Sequence, residues 1–172
     1  IGFTGLGDPV ALHAAVASGQ FETVQCYFNA VNPSGGFAGA SNGAVDFNGL
    51  IDAAAAQGMG IFNIRALAGG AVSGSIDRAR YASPMLGSRP MTPGGDFEAD
   101  VSRTAALRDI ADDLGIETTT ELGYRFCLAK PGISSVLIGF SNIDQLNQAI
   151  EWTQRGPLDN ASVSAIVAAA RA

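Results

Sequence analysis

The chain has 172 residues, of which 47% are hydrophobic and only 15% charged, a composition that excludes disorder and suits one domain with a sizeable core. Its net charge of −6 argues against a nucleic-acid partner, because binding to a phosphate backbone requires clustered Lys and Arg. No apolar run reaches the roughly 20 residues of a membrane span, so we expect no membrane partner and a cytoplasmic protein. The sequence starts without Met in a strand-like run, which indicates an upstream portion or a trimmed chain.

Residues 1–57 predict strands alternating with helices. The opening residues predict a strand, and Asp8 followed by Pro9 predicts the cap and first residue of a helix that ends at Gly19. Three further elements are predicted from β-prone, glycine-rich and helically spaced apolar residues: a strand at 21–28, a loop at 32–43 and a helix at 45–57.

The second part of the chain continues the alternation after a long connection. Residues 60–64 predict a buried parallel strand, and residues 65–96, rich in Gly and Pro, are of the length that is usually functional or mobile. Thr118 and Glu121 together indicate a capping box. The remaining predicted elements are helices at 100–114 and 118–129, a strand at 134–140, a helix after Ser141 or Asn142 to 152, and a last helix at 161–170.

Alternating short strands and helices predict an α/β fold with a parallel sheet covered by helices. About four strands are present, which form either an open sheet or half of an eight-stranded barrel. The pattern alone does not separate these two architectures.

Two segments have the chemistry of a ligand site. Gly139 ends the last strand, and the helix that follows offers free backbone N–H groups to a phosphate, although an ordinary capped turn has the same pattern. Small residues follow Arg65, whose guanidinium could contact a diphosphate, although a flexible loop with a surface arginine is the alternative. Gln25, inside an apolar strand, either bonds within the sheet or binds a carboxamide.

Catalytic and metal chemistry find little support in the sequence. His13 is the only histidine and has no acidic or cysteine neighbour, which disfavours both a Ser/His/Asp site and a metal site. Tyr27, Tyr81 and Tyr124 could act as acids only beside a base or a cation, which the sequence does not indicate.

Several stretches resemble the C-terminal half of the aldo/keto reductases. IGFTGLGD and FETVQCYFN look like the family's fifth and sixth strands, and GMGIFNIRALAGGAVSG looks like the seventh strand with its cofactor loop. ELGYRFCLAKPGISSVLIGFSNIDQLNQAI resembles the seventh helix, eighth strand and eighth helix. The resemblance implies the C-terminal half of a (β/α)8 TIM barrel, with residues 1–172 as one partial domain that holds strands five to eight.

The resemblance also implies a binding site for NADP(H), with NAD(H) as the second candidate. Thr4 and Gln25 would bind the nicotinamide amide, and Ile64 would replace the usual stacking aromatic residue. The diphosphate would follow Arg65, Ala66, Leu67, Ala68 and Gly69, and the adenosine end would meet Gly139, Ser141, Gln145 and Gln148. Gly5 departs from the family's Asn, and neither Lys nor Arg lies near Gly139 in the sequence to pair with a 2′-phosphate.

The family's catalytic Asp, Tyr, Lys and His belong to the first half of the barrel, so no residue here is assigned a catalytic role. We expect a reductase of small carbonyl substrates when the N-terminal half, on the same or a separate chain, completes the barrel. The alternative is a non-catalytic nicotinamide-nucleotide-binding regulatory subunit. A homo-oligomer also remains open.

Overall fold

The structure, a computed structural model, describes residues 1–77 and 96–172. In these residues, four strands form one parallel sheet in the order of the sequence. The strands are β1 (Gly2–Gly5), β2 (Thr23–Tyr27), β3 (Gly60–Ile64) and β4 (Ser135–Val136). The predicted α/β fold with a parallel sheet is confirmed.

Six α-helices are found in the same described residues. They are α1 (Pro9–Ala17), α2 (Leu50–Ala56), α3 (Phe97–Asp113), α4 (Thr119–Ala129), α5 (Ile143–Arg155) and α6 (Asn160–Ala169). Short 3-10 turns at Pro33–Gly35 and Ala68–Ser73 lie in the connections that follow β2 and β3.

The hydrophobic core lies between the sheet and the helices. Val24 and Ile61 of the sheet belong to one buried cluster with Ile51 of α2 and with Leu122 and Phe126 of α4. Each buried side chain of this size contributes about 1.5–3 kcal/mol relative to an exposed one. This layer fixes the sheet and so fixes the strand ends, where the candidate site lies.

The opposite face of the sheet is open. The register partners Gln25 and Phe62 are only half-buried there, whereas the next pair, Cys26 and Asn63, is fully buried. A cleft of about 320 Å³ opens on the uncovered face, between β1, β2 and Phe62. The described residues therefore pack on one side of the sheet only.

Strand β4 is shorter than the predicted 134–140. Regular pairing covers Ser135–Val136, and single hydrogen bonds extend it, from the Ser134 N–H to the Ile61 carbonyl at 2.8 Å and from the Leu137 N–H to the Asn63 carbonyl at 2.9 Å. Within residues 1–77 and 96–172, β4 pairs only with β3, so the residues that follow have no second described strand to hold them extended.

Two helices begin at positions other than those predicted. α2 starts at Leu50 rather than 45, because Asn48 and Gly49 adopt left-handed φ values of 51° and 69°. α3 starts at Phe97 rather than 100, because Asp96 caps it by accepting from the Glu98 N–H at 3.0 Å. Local side-chain and backbone bonds set both boundaries.

The capping box predicted at α4 is only half formed, so this prediction was wrong in part. Thr118 caps the helix by accepting from the Glu121 N–H at 3.1 Å. The Glu121 carboxylate does not bond back to the helix start but binds two arginines, Arg125 and Arg155.

Candidate functional site

A groove of about 890 Å³ lies at the carboxyl ends of the strands. Its walls come from the strand ends, the segment after β3, the turn between β4 and α5, and residues of α4 and α5. This volume lies in the range of pockets that hold small molecules and cofactors. In parallel α/β proteins, ligands bind at this end of the sheet.

The β1–β2 corner of the groove is polar. Thr4 and Gln25 are register partners on neighbouring strands, and the Thr4 hydroxyl donates to Oε1 of Gln25 at 3.3 Å. The bond leaves the amide nitrogen of Gln25 as a donor beside the groove. Gln25 therefore bonds within the sheet, one of its two predicted roles, and it also lines the groove.

The segment after β3 forms a wall with an unusual backbone. Arg65 and Ala68 have φ of 60° and 48°, and Gly69 and Gly70 follow with 67° and 103°. A left-handed conformation is costly for residues with a Cβ and persists where the surroundings enforce it. Here the Arg65 carbonyl accepts from the Asn29 side chain at 3.1 Å and from the Ala68 N–H at 2.8 Å.

Contacts on the side away from the groove also fix the position of this segment. The Thr104 hydroxyl of α3 donates to the Ala71 carbonyl at 3.0 Å, and Val72 is fully buried.

The Cys127 thiol lies 3.7 Å from the Ala66 carbonyl as a donor, and burial raises its pKa, so it stays protonated. Burial likewise raises the pKa of Cys26 to about 12. Both cysteines are free and buried, and neither acts as a nucleophile at neutral pH.

The α5 side of the groove starts at Gly139. An added Cβ there would meet no protein atom within 4 Å, so the space beside this backbone belongs to the groove. Asn142, one of the two caps predicted, accepts from the Gln145 N–H at 2.9 Å. The Ser141 N–H donates to Oε1 of Gln145 at 2.6 Å, so an amide oxygen occupies a position where a ligand oxygen could bind.

Residues that the sequence did not assign to the ligand site also line the groove near α4. Thr118, Thr120 and Tyr124 come from the start of α4, and Trp152 comes from α5. Tyr124 and Trp152 pack with ring centroids 6.1 Å apart, and the Tyr124 hydroxyl bonds the Thr153 hydroxyl at 2.9 Å. Their spacing in the sequence is that of ordinary core residues of a helix. Only the packing of α4 against α5 identifies them as residues of the groove.

The structure places the predicted cofactor residues together, with one exception. Ala68 is buried behind the wall rather than in the groove. The predicted residues that line the groove are Thr4, Gln25, Ile64, Arg65, Ala66, Leu67, Gly69, Gly139, Ser141, Gln145 and Gln148.

Charged groups are sparse in this groove. Arg65 is the cation and Asp77 the acid among the described lining residues. His13 does not line the groove, and its Nε2 donates to the Phe47 carbonyl at 3.1 Å. Tyr81 and most of the long 65–96 segment lie outside the described residues. Where side chains are described, no group of three or more His, Cys, Asp or Glu residues could hold a metal ion.

Comparison with solved structures identifies the fold. The chain is similar to the holo and apo forms of the aldo-keto reductase AKR11C1 from Bacillus halodurans, with TM-scores of 0.64 and 0.61 and 16% sequence identity to each. The matches cover 99% and 98% of this chain and 50% of theirs, so the chain spans about half the length of these structures. The four parallel strands and their helices are half of a (β/α)8 barrel, as the resemblance implied.

The sequence comparison gives the family. The Aldo/keto reductase family model matches residues 24–171, and the chain belongs to this family. No curated protein matches the sequence. None of the helices within residues 1–77 and 96–172 combines the length and hydrophobicity needed to cross a lipid bilayer.

Proposed function

We propose that this chain is the dinucleotide-binding half of an NAD(P)H-dependent aldo/keto reductase, with NADP(H) as the first candidate cofactor and NAD(H) as the second. One observation carries the proposal. The segment after β3 and the turn between β4 and α5 line the same groove, where one extended ligand can contact both. The cofactor supplies a hydride for a carbonyl carbon, and this chain holds it in place.

The groove fits the parts of a dinucleotide. Thr4 and Gln25 would bind the carboxamide, with Ile64 packing on the ring through its aliphatic side chain. The Arg65 guanidinium and the backbone of residues 65–69 would hold the diphosphate. The residues that would surround the adenosine end are Gly139, Ser141, Gln145 and Gln148. A ligand oxygen can replace Oε1 of Gln145 as the acceptor of the Ser141 N–H.

We further propose that β1 to β4 are strands five to eight of the family's barrel, and that residues 1–172 form one partial domain. The first half, on the same or another polypeptide, would supply the acid–base residues, a tyrosine acid among them. The substrate would be a small aldehyde or ketone, reduced reversibly. We call the assembly of both halves the complete barrel.

A regulatory subunit that binds the nucleotide without turnover is the second candidate. One observation favours it: Ile64, an aliphatic residue, lines the groove where the family resemblance implies a stacking aromatic residue. Weaker packing on the nicotinamide ring would reduce control over the hydride's position. Binding without reduction of any carbonyl compound would support this candidate.

Titration of the complete barrel with NADPH and NADH tests the proposal. We expect Trp152, which lines the groove, to be quenched on binding, with a Kd of about 1–100 µM on the scale of enzyme ligands. The Gly139→Val variant places a side chain in open space, so its stability should be unchanged while its affinity falls at least about tenfold.

The two candidates then separate by turnover of a panel of aldehydes and ketones. Oxidation of NAD(P)H by a carbonyl compound supports the reductase, and saturable binding without oxidation supports the regulatory subunit. Absence of any binding by the complete barrel, or equal binding by the Gly139→Val variant, would contradict a dinucleotide site in this groove.

We predict that the isolated chain associates in solution. Among the described residues, its sheet has two open edges and one uncovered face, and several large apolar side chains are exposed after β4 and on α5. Unpaired strand edges and apolar patches promote self-association. Sedimentation velocity of residues 1–172 should show dimers or larger species, and the complete barrel is the control. A stable monomer of the isolated chain would contradict the prediction.

A further inference from the structure

A buried carboxylate joins the two helices on the α5 side of the groove. Glu121 in the first turn of α4 is 3% exposed. Its Oε1 accepts from Arg125 at 3.0 Å, and its Oε2 accepts from Arg155, the last residue of α5, at 2.7 Å. Arg125 also donates from Nε to the Gly156 carbonyl at 2.9 Å. The carboxylate therefore connects α4 to the C-terminal end of α5.

α5 has few other supports in the described part of the chain. It packs on α4 through Ala149 and Trp152, which cluster with Tyr124 and with apolar residues of α4, of β4 and of the segments that follow β3 and β4. The hydrogen bond between the Tyr124 and Thr153 hydroxyls is a further contact with α4. Its outer face is exposed, with Ile143 at 63% and Ile150 at 50%. The tilt of α5 therefore depends strongly on its contacts with α4.

That tilt determines the shape of the groove. Gln145 and Gln148 line the groove from the first turns of α5, and Arg155 lies at its other end. Ten residues of helix separate Gln145 from Arg155, about 15 Å along the axis. A small rotation at Arg155 therefore displaces the groove-lining amides by a distance on the scale of a hydrogen bond.

We propose that Glu121 and Arg155 are positioning residues for the dinucleotide. They touch no part of the groove themselves but hold α5 at the angle that places Gln145 and Gln148 at the ligand. This inference depends on the proposed function, because it assigns the α5 side of the same groove to that ligand. A buried ion pair adds little net stability over apolar packing. Its geometry is well defined, however, and a well-defined geometry is what is needed to fix the position of α5.

The Arg155→Met variant in the complete barrel tests the inference. Arg155 is 51% exposed, and Glu121 keeps its bond to Arg125 in the variant, so the carboxylate is not left without a partner. We expect the Kd and the KM for NADPH to rise about three- to tenfold, with kcat and the KM for the carbonyl substrate unchanged. Arg155→Lys keeps a cation for the Glu121 oxygen and should stay within about twofold of the unaltered protein.

The matched control is Asp52→Asn. It removes the ion pair of Asp52 with Lys130 (2.6 Å), which also links two separate parts of the chain but lies away from the groove. We expect unchanged NADPH affinity in this control. Equal affinities for Arg155→Met and Asp52→Asn, or equal losses for the Met and Lys variants, would overturn the positioning role. If the unaltered complete barrel binds neither NADPH nor NADH, the proposed function itself fails.

Discussion

We expect the Arg65→Gly variant to be more stable than the unaltered protein and to bind the dinucleotide more weakly. Arg65 has a φ of 60° directly after β3, a conformation that costs a residue with a Cβ roughly 1–2 kcal/mol and costs glycine nothing. The entropy that glycine gains in the unfolded chain offsets part of this, about 0.5–1 kcal/mol. The net gain in the free energy of unfolding should therefore be at most about 1.5 kcal/mol.

The loss of binding should be larger than the gain in stability. Arg65 is the cation among the described residues that line the groove, and a hydrogen bond to a charged group contributes about 1.5–3 kcal/mol. We therefore expect the affinity for NADPH to fall roughly 10- to 100-fold in the complete barrel. Calorimetric titration measures the binding, and urea unfolding measures the stability.

Two further variants separate backbone strain from charge. Arg65→Asn removes the cation but places a side chain that tolerates the left-handed conformation, so it should match the glycine variant in binding. Arg65→Lys keeps the charge and the strain and should retain most of the affinity. A glycine variant that binds NADPH as tightly as the unaltered protein would show that the guanidinium does not contact the ligand.

The strands and most helices could be predicted because their signals are local. Asp8 caps α1 through a bond to a backbone N–H three residues later, and Asn142 caps α5 in the same way. Strand β3 coincides with its predicted range of 60–64, because its apolar run has a glycine at the start and a turn at the end. Such interactions span only a few residues and can be read from the sequence.

The contacts in and beside the site that the sequence did not predict join residues far apart in the chain. The role of Glu121 is set by Arg155, 34 residues away, so the spacing that suggests a capping box cannot reveal it. Thr118, Tyr124 and Trp152 meet at the groove only because α4 and α5 pack together. Short-range patterns in the sequence carry no signal for either arrangement.

Gly123 was also missed, and we expect its substitution to have the largest effect on stability. It lies in the middle of α4, where glycine costs about 1 kcal/mol relative to alanine, so helix propensity does not explain why glycine is found there. The reason is packing. A Cβ at this position would lie 2.5 Å from Cγ1 of Val72, and Val72 is fully buried in the segment that forms the groove wall.

The Gly123→Ala variant should therefore be destabilised despite its better helix propensity. Overpacking costs about 1–3 kcal/mol, which exceeds the gain of about 1 kcal/mol from the helix. The strain should also displace the wall that carries Arg65 and lower the affinity for NADPH. Urea unfolding of the complete barrel measures the first effect, and calorimetric titration measures the second.

A double-mutant cycle with Val72→Ala decides whether this one contact is responsible. Val72→Ala removes the methyl group that the new Cβ would meet, so Gly123→Ala should become neutral or stabilising in that background. The coupling between the two substitutions should be about 1–3 kcal/mol in favour of the double variant. Additive effects would show that the destabilisation by Gly123→Ala does not come from contact with Val72. The close approach of α4 to the groove wall would then not be what requires glycine.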